Sequence, residues 1–288
     1  MENGPGMNDT AIKTLRAPHK APFPVTVARK TVWVRSLSGV LPIYLVNEYP
    51  KSGGTWMKNL LAAALEVPAW TRTDPVWSTS VMQGHWLNPF NLHNVVALFR
   101  DGRDVMVSYY HHSFFRNEQF NSGYVDRMRE RFGFSDYEDV RSNLLPFMKT
   151  MLTDPPSPGF TWVDFVEKWA QGPAKVSTRY EWLRRDTATE LQRIVRELTG
   201  RELAKERAEA IADKFSLSRM RARMTKEAAG KTVEKSFVRE GSVGGWSRHF
   251  TDEALDWFEK EAGHALDLLG YPRGRPDPSS TLISETPA

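Results

Sequence analysis

Two short apolar runs dominate the pattern of the chain. Leu41-Pro-Ile-Tyr-Leu-Val46 and Val95-Val-Ala-Leu-Phe99 are nearly free of polar residues, as strands covered on both faces should be. Each leads straight into a turn and a helical pattern. After the first, apolar residues at 56, 57, 60, 61, 64 and 65 share one helix face. After the second, Arg100 closes the run, and Asp101 followed by Asp104 has the form of an N-cap and an acidic first turn. The same spacing predicts helices over 161–170, 187–199, 202–213 and 252–269, and a short strand over 175–180. A charged helical stretch from 116 to 153 ends at the turn cluster Asp154-Pro-Pro-Ser-Pro-Gly159. Strands alternating with helices predict an α/β fold: one domain over residues 31–270, with a central, mainly parallel sheet flanked by helices. Residues 1–30 and 271–288 are rich in Pro and polar residues and are expected to be tails.

Composition narrows the picture. Apolar residues make up 40% and charged residues 26% of the 288, which excludes a disordered, collagen-like or coiled-coil chain. Ten Trp and fifteen Phe supply a core without staples. With no cysteine there is no disulfide, thiolate metal site or Cys nucleophile, and a reducing, cytoplasmic setting is expected. No apolar run is long enough to span a membrane. The net charge of +4 suits an anionic small molecule, a nucleic acid or a membrane surface alike, so motifs have to choose.

In parallel sheets ligands bind beyond the carboxyl ends of the strands. Two segments hold that position, 49–56 and 100–108. Lys51-Ser52-Gly53-Gly54-Thr55 joins a strand to a helix. Its glycines let the backbone approach a ligand, and helix-terminal amides, a Lys and two hydroxyls favour phosphate. An ordinary glycine turn has the same look. The loop is P-loop-like but not a Walker A sequence, because Lys51 precedes the glycines instead of following them. Arg100 and Ser108, at a strand end and within the next helix, combine an Arg fork with a hydroxyl, a pairing suited to a dianionic phosphate. An ion pair of Arg100 with Asp101 or Asp104 is the plainer alternative.

Three segments resemble the sulfotransferases that use 3′-phosphoadenosine 5′-phosphosulfate (PAPS). Tyr49-Pro-Lys-Ser-Gly-Gly-Thr-Trp56 is similar to their 5′-phosphosulfate loop, Phe99-Arg-Asp-Gly-Arg-Asp-Val-Met-Val-Ser-Tyr-Tyr-His111 to their 3′-phosphate motif, and Phe237-Val-Arg-Glu-Gly-Ser-Val-Gly-Gly-Trp246 to the segment that closes over the nucleotide. The resemblance covers roughly residues 40 to 265, in family order. It implies transfer of a sulfuryl group from PAPS to an alcohol, phenol or amine, without a metal. Lys51 then matches the Lys that stabilises the leaving phosphate. Ser52, Gly53, Gly54 and Thr55 would cradle the 5′-phosphate, with Gly54 in place of the usual Thr. Trp56 would stack on adenine or simply pack in the core. Arg100 and Ser108 would hold the 3′-phosphate, Tyr180 would contact the adenine end, and Arg239 and Gly241 match the closing segment, whose usual Lys is Glu240 here. Arg103 is read as a structural salt-bridge partner.

The acceptor loses a proton as it attacks, so a general base is needed. His85 stands where the family places its base, with His93 and Glu48 as rivals. The acceptor, a small molecule or a glycan, is expected to meet the loops 70–89 and 113–160. No nucleic-acid partner is expected. The family's dimerisation segment is not matched at Ser247–Asp252, which leaves the oligomeric state open. A Mg-ATP kinase using the glycine turn and a basic nucleotide- or RNA-binding protein are the competing readings. Magnesium dependence and salt dependence, respectively, distinguish them.

Overall fold

The computed structural model describes residues 23–70, 78–117, 121–227, 233–236 and 241–275. In chain order the elements are α1 (Phe23–Leu37), β1 (Ile43–Glu48), α2 (Gly54–Leu65), β2 (Ala69–Trp70), β3 (Ser80–Gly84), β4 (Val95–Phe99), α3 (Gly102–Phe114), α4 (Ser122–Phe132), α5 (Val140–Thr153) and α6 (Trp162–Trp169). They continue with β5 (Val176–Arg179), α7 (Tyr180–Arg185), α8 (Thr187–Thr199), α9 (Lys205–Lys214), α10 (Leu217–Glu227), a 3-10 turn at Gly245–Arg248, and α11 (Asp252–Leu268). The chain divides into two compact units, Met1–Arg100 with Lys168–Ala222, and Asp101–Glu167 with Arg223–Ala288.

The first unit holds the sheet, in the order β2-β3-β1-β4-β5. Every pairing is parallel, with Asn47 opposite Gly84 across β1 and β3 and opposite Ala97 across β1 and β4. The expected α/β class and parallel sheet are the architecture found. One core joins Val46, Val96 and Leu98 of the sheet to Leu60 and Leu61 of α2, Ile194 and Leu198 of α8, and Ile211 of α9.

β1 runs two residues further than the apolar run suggests, through Asn47 and Glu48, and both are buried. Buried polar groups persist only with partners, and both have them, as described below. β3 lies within a segment read as an acceptor-facing loop. α1 begins at Phe23, inside the segment read as an N-terminal tail.

In the second unit the charged stretch 116–153 breaks into α4 and α5. Gly133 ends α4 in the left-handed conformation, a common helix stop. Tyr110, Phe114 and Phe147 form its aromatic centre, with ring centroids of Tyr110 and Phe114 4.7 Å apart. Asp101 caps α3 as its position predicts, accepting from the Arg103 amide at 2.9 Å.

Candidate active site

The residues following β1, β3, β4 and β5 all emerge at the carboxyl edge of one parallel sheet, where α/β proteins bind ligands. After β1 the chain turns sharply. Lys51 adopts φ 77° and Gly53 φ 106°, and a non-glycine residue held in the left-handed region is a local strain that concentrates at functional sites. Gly53 has a second constraint, since a Cβ there would stand 2.7 Å from the Tyr180 ring. The Ser52 side chain is buried, and its Oγ has no hydrogen-bond partner among the described residues. α2 starts at Gly54 and turns its first amides toward this loop. A buried hydroxyl lacking a partner beside a helix N-terminus fits an incoming anion oxygen.

Arg100, at the end of β4, donates from Nη1 to the Lys51 carbonyl at 3.1 Å, which joins two motifs 49 residues apart. Its guanidinium lies 4.3 Å over the Tyr180 ring, a cation–π contact that orients the fork. Tyr180 meets Trp56 edge to face, centroids 5.7 Å apart. Trp56 is only 4% exposed and donates from Nε1 to the Phe215 carbonyl at 2.8 Å. Trp56 therefore packs in the core, one of the two compatible roles weighed for it. The Arg184 guanidinium lies 5.9 Å from its ring centroid.

In the second unit Ser108 lies half-buried on α3, and Gly241 has φ 61°. Arg239 and Glu240 lie outside the described residues. Arg103 is the structural cation that its motif suggests: it is 2% exposed, bonds both oxygens of Asp101, and lies 4.2 Å over Trp246. The Asp104 carboxylate accepts from the Gly244 and Trp246 amides at 2.8 and 2.9 Å.

His85 immediately follows β3. Its Nδ1 lies 2.9 Å from the Glu48 carbonyl, which can only accept, so Nδ1 carries the proton and Nε2 keeps its lone pair. Desolvation lowers the imidazole to about 4, although the residue as a whole is exposed. Water at the ring opposes that desolvation, and the imidazole is neutral at pH 7. The backbone beside it is clamped. Asn47 accepts from the Trp86 amide at 2.8 Å and donates to the Trp86 carbonyl at 2.9 Å, and Trp169 donates to the same carbonyl at 2.9 Å. Gly84 makes room for the Trp86 ring, which a Cβ would meet at 2.3 Å.

Glu48 is the residue that pattern reasoning left least explained. Its carboxyl accepts from the Gly54 amide and, at 2.6 Å, from Gln83 Nε2. Burial pushes it up to about 7 against these hydrogen bonds and the nearby charges of Lys51 and Arg100. Gln83, which also accepts from Thr55 Oγ1 at 3.2 Å, and Asn47 are site residues that sequence reasoning missed. Their only signal is a polar side chain at a strand position otherwise buried. His93, the rival base, is exposed two residues before β4 begins, with its ring near Gly39, which precedes β1.

The family model described as "Sulfotransferase domain" matches residues 84–270. That span includes the Arg100 motif and His85 but leaves out the Lys51 loop, whose reading rests on its own residues. The chain is 24% identical over 277 residues to mouse "Sulfotransferase 2B1", covering 82% of this chain and 75% of the relative. It is 24% identical over 261 residues to the human protein of that name, covering 78% and 65%. Among solved structures it resembles mouse sulfotransferase SULT7A1 complexed with PAP, with TM-score 0.58 and 17% identity over 83% of this chain and 90% of that one. It also resembles retinol dehydratase in complex with androsterone and inactive cofactor PAP, with TM-score 0.57 and 16% identity over 82% and 84%. At these identities the solved structures speak for the fold, and the family model, spanning well over half of the chain, decides the membership: this chain belongs to the sulfotransferase domain family.

Proposed function

We propose that this sulfotransferase takes its sulfuryl group from PAPS and passes it to a hydroxyl or amine of a small-molecule or glycan acceptor by in-line attack. The observation that carries this reading is the hydrogen bond from Arg100 to the Lys51 carbonyl, which joins two separate motifs at one sheet edge, where the charges of both side chains act on Glu48. When bound, PAPS supplies a phosphosulfate whose departing phosphate gains negative charge. The Lys51 ammonium neutralises that charge, an interaction stronger in the transition state than before it. Ser52, Gly53, Gly54 and Thr55 hold the 5′-phosphate, and Trp56 offers its ring to the adenine. Arg100 and Ser108 hold the 3′-phosphate, Tyr180 supports the Arg100 fork, and Arg239 and Gly241 belong to the closing segment.

His85 serves as general base. Its tautomer, held by the Glu48 carbonyl, leaves Nε2 ready to receive the acceptor's proton. Aromatic side chains in the expected acceptor loops, such as Trp86, Phe114 and Phe115, are buried. No described helix is long and apolar enough to cross a membrane, and the cytoplasm is the proposed setting. The test is transfer of radiolabelled sulfate from PAPS to a panel of phenols, alcohols, amines and sugars. Loss of turnover in both Lys51→Ala and His85→Ala is expected; full turnover in both would overturn the mechanism.

A further inference from the structure

An anion cradle should not contain an anion of its own, yet this one does. Glu48 is 2% exposed, and its carboxyl accepts from the amide of Gly54, the first residue of α2. That amide belongs to the loop proposed to hold the donor's 5′-phosphate. Gln83 fixes the other carboxyl oxygen at 2.6 Å. The fit between residues 48 and 54 is mutual: a Cβ on Gly54 would lie 2.3 Å from Glu48 Cδ and Oε1. The glycine that replaces the usual Thr of the resembling loop is therefore the residue that leaves space for this carboxyl. Charged groups approach Glu48 from each neighbouring element: Lys51 on the loop and Arg100 beyond β4, and Lys58 on α2. Lys30 of α1 reaches the carbonyl of Gln83, and His85 binds the Glu48 carbonyl.

We propose that Glu48 is a resident carboxyl of the donor cradle, which the donor's 5′-phosphate meets in protonated form, so that donor binding is coupled to uptake of a proton by this side chain. The inference rests on the donor-site reading above. Burial already brings the free carboxyl to about 7. A phosphate arriving beside it raises it further, because like charges disfavour the ionised form. The sign follows: affinity is highest where Glu48 is already protonated and falls as pH rises through about 7, since a proton must then be taken from solvent.

Calorimetric titration with adenosine 3′,5′-bisphosphate tests this in wild type and Glu48→Gln, at about pH 6 and about pH 8.5, in two buffers of different ionisation heat. The ligand's own phosphate titration is common to both proteins and cancels in the comparison. Glu48→Gln is expected to bind roughly tenfold or more tighter than wild type at the higher pH, to match it at the lower, and to lose the protein's share of proton uptake. Equal pH profiles, or weaker binding by Glu48→Gln throughout, would overturn the proposal while leaving the donor site standing. Binding by neither protein at either pH would remove the donor site and the proposal together. Thermal melting gives a readout free of ligand. Gly54→Ala should lower the melting temperature with Glu48 present and lose that effect when combined with Glu48→Ala. An equal cost in both backgrounds would refute the contact itself.

Discussion

Replacing Asn47 with Ala should loosen the base without touching it. Asn47 is fully buried and makes two hydrogen bonds to the backbone of Trp86, at 2.8 and 2.9 Å, one residue beyond His85. The Trp86 carbonyl keeps a second donor in Trp169, so its loss is small. The Trp86 amide has no such reserve and is left buried and unsatisfied. Two lost bonds at about 1 kcal/mol each, plus about 1–3 kcal/mol for the stranded amide, less what the surviving Trp169 bond recovers, give a destabilisation of about 2–4 kcal/mol. For a chain of this size that corresponds to a fall in melting temperature of roughly 5–10 °C. Melting followed by circular dichroism measures the first effect. Steady-state kinetics measure the second, a fall in kcat greater than the change in donor affinity, since the donor loop is held by other contacts. A melting temperature within about 1 °C of wild type, with kcat unchanged, would show that the β1–Trp86 clamp does not hold the His85 segment.

Three further outcomes follow from the same geometry. His85→Ala should lower kcat by about 100- to 10,000-fold and leave binding of adenosine 3′,5′-bisphosphate unchanged; a parallel loss of binding would make His85 a donor ligand instead. Because the imidazole is held below its ordinary value, wild-type kcat/KM should lack an acid limb near that value, and a limb centred near pH 6.5 would contradict a lowered base. Arg103→Ala should cost about 3–5 kcal/mol of stability by stranding the buried Asp101 carboxylate. Chemical denaturation reads that loss, and a fully stable variant that fails to bind nucleotide would reverse the structural role given to Arg103.

The sequence exposes what rests on local, repetitive pattern. The run Val95–Phe99 is a strand with those bounds, Thr187–Thr199 is a helix with those bounds, and Asp101 caps the helix it precedes. β3 escaped because Ser80-Val-Met-Gln-Gly84 is buried on both faces while only two of its residues are apolar, so neither alternation nor an unbroken apolar run marks it. β1 was read short for a related reason, since Asn47 and Glu48 are polar residues whose burial is made tolerable by partners distant in sequence. The motif residues Lys51, Arg100 and Tyr180 were legible one by one, but their meeting depends on strand order, which periodicity does not encode. Trp56 shows what motif reading does not supply: the Tyr180 ring and the Phe215 carbonyl that engage it lie far along the chain. The Glu48–Gly54 pair shows the reverse, a departure from the usual loop that becomes intelligible once the carboxyl is seen in the space a side chain at 54 would fill.

The central claim is that the edge joining Lys51 to Arg100 binds the donor nucleotide. Calorimetric titration with adenosine 3′,5′-bisphosphate, with and without magnesium and with ATP as the reference ligand, tests it most directly. The account predicts binding that is indifferent to magnesium, stronger than that of ATP, and weakened about tenfold or more in Arg100→Ala through loss of a charge-assisted fork on phosphate. Absence of binding, or a preference for ATP with magnesium, would contradict it.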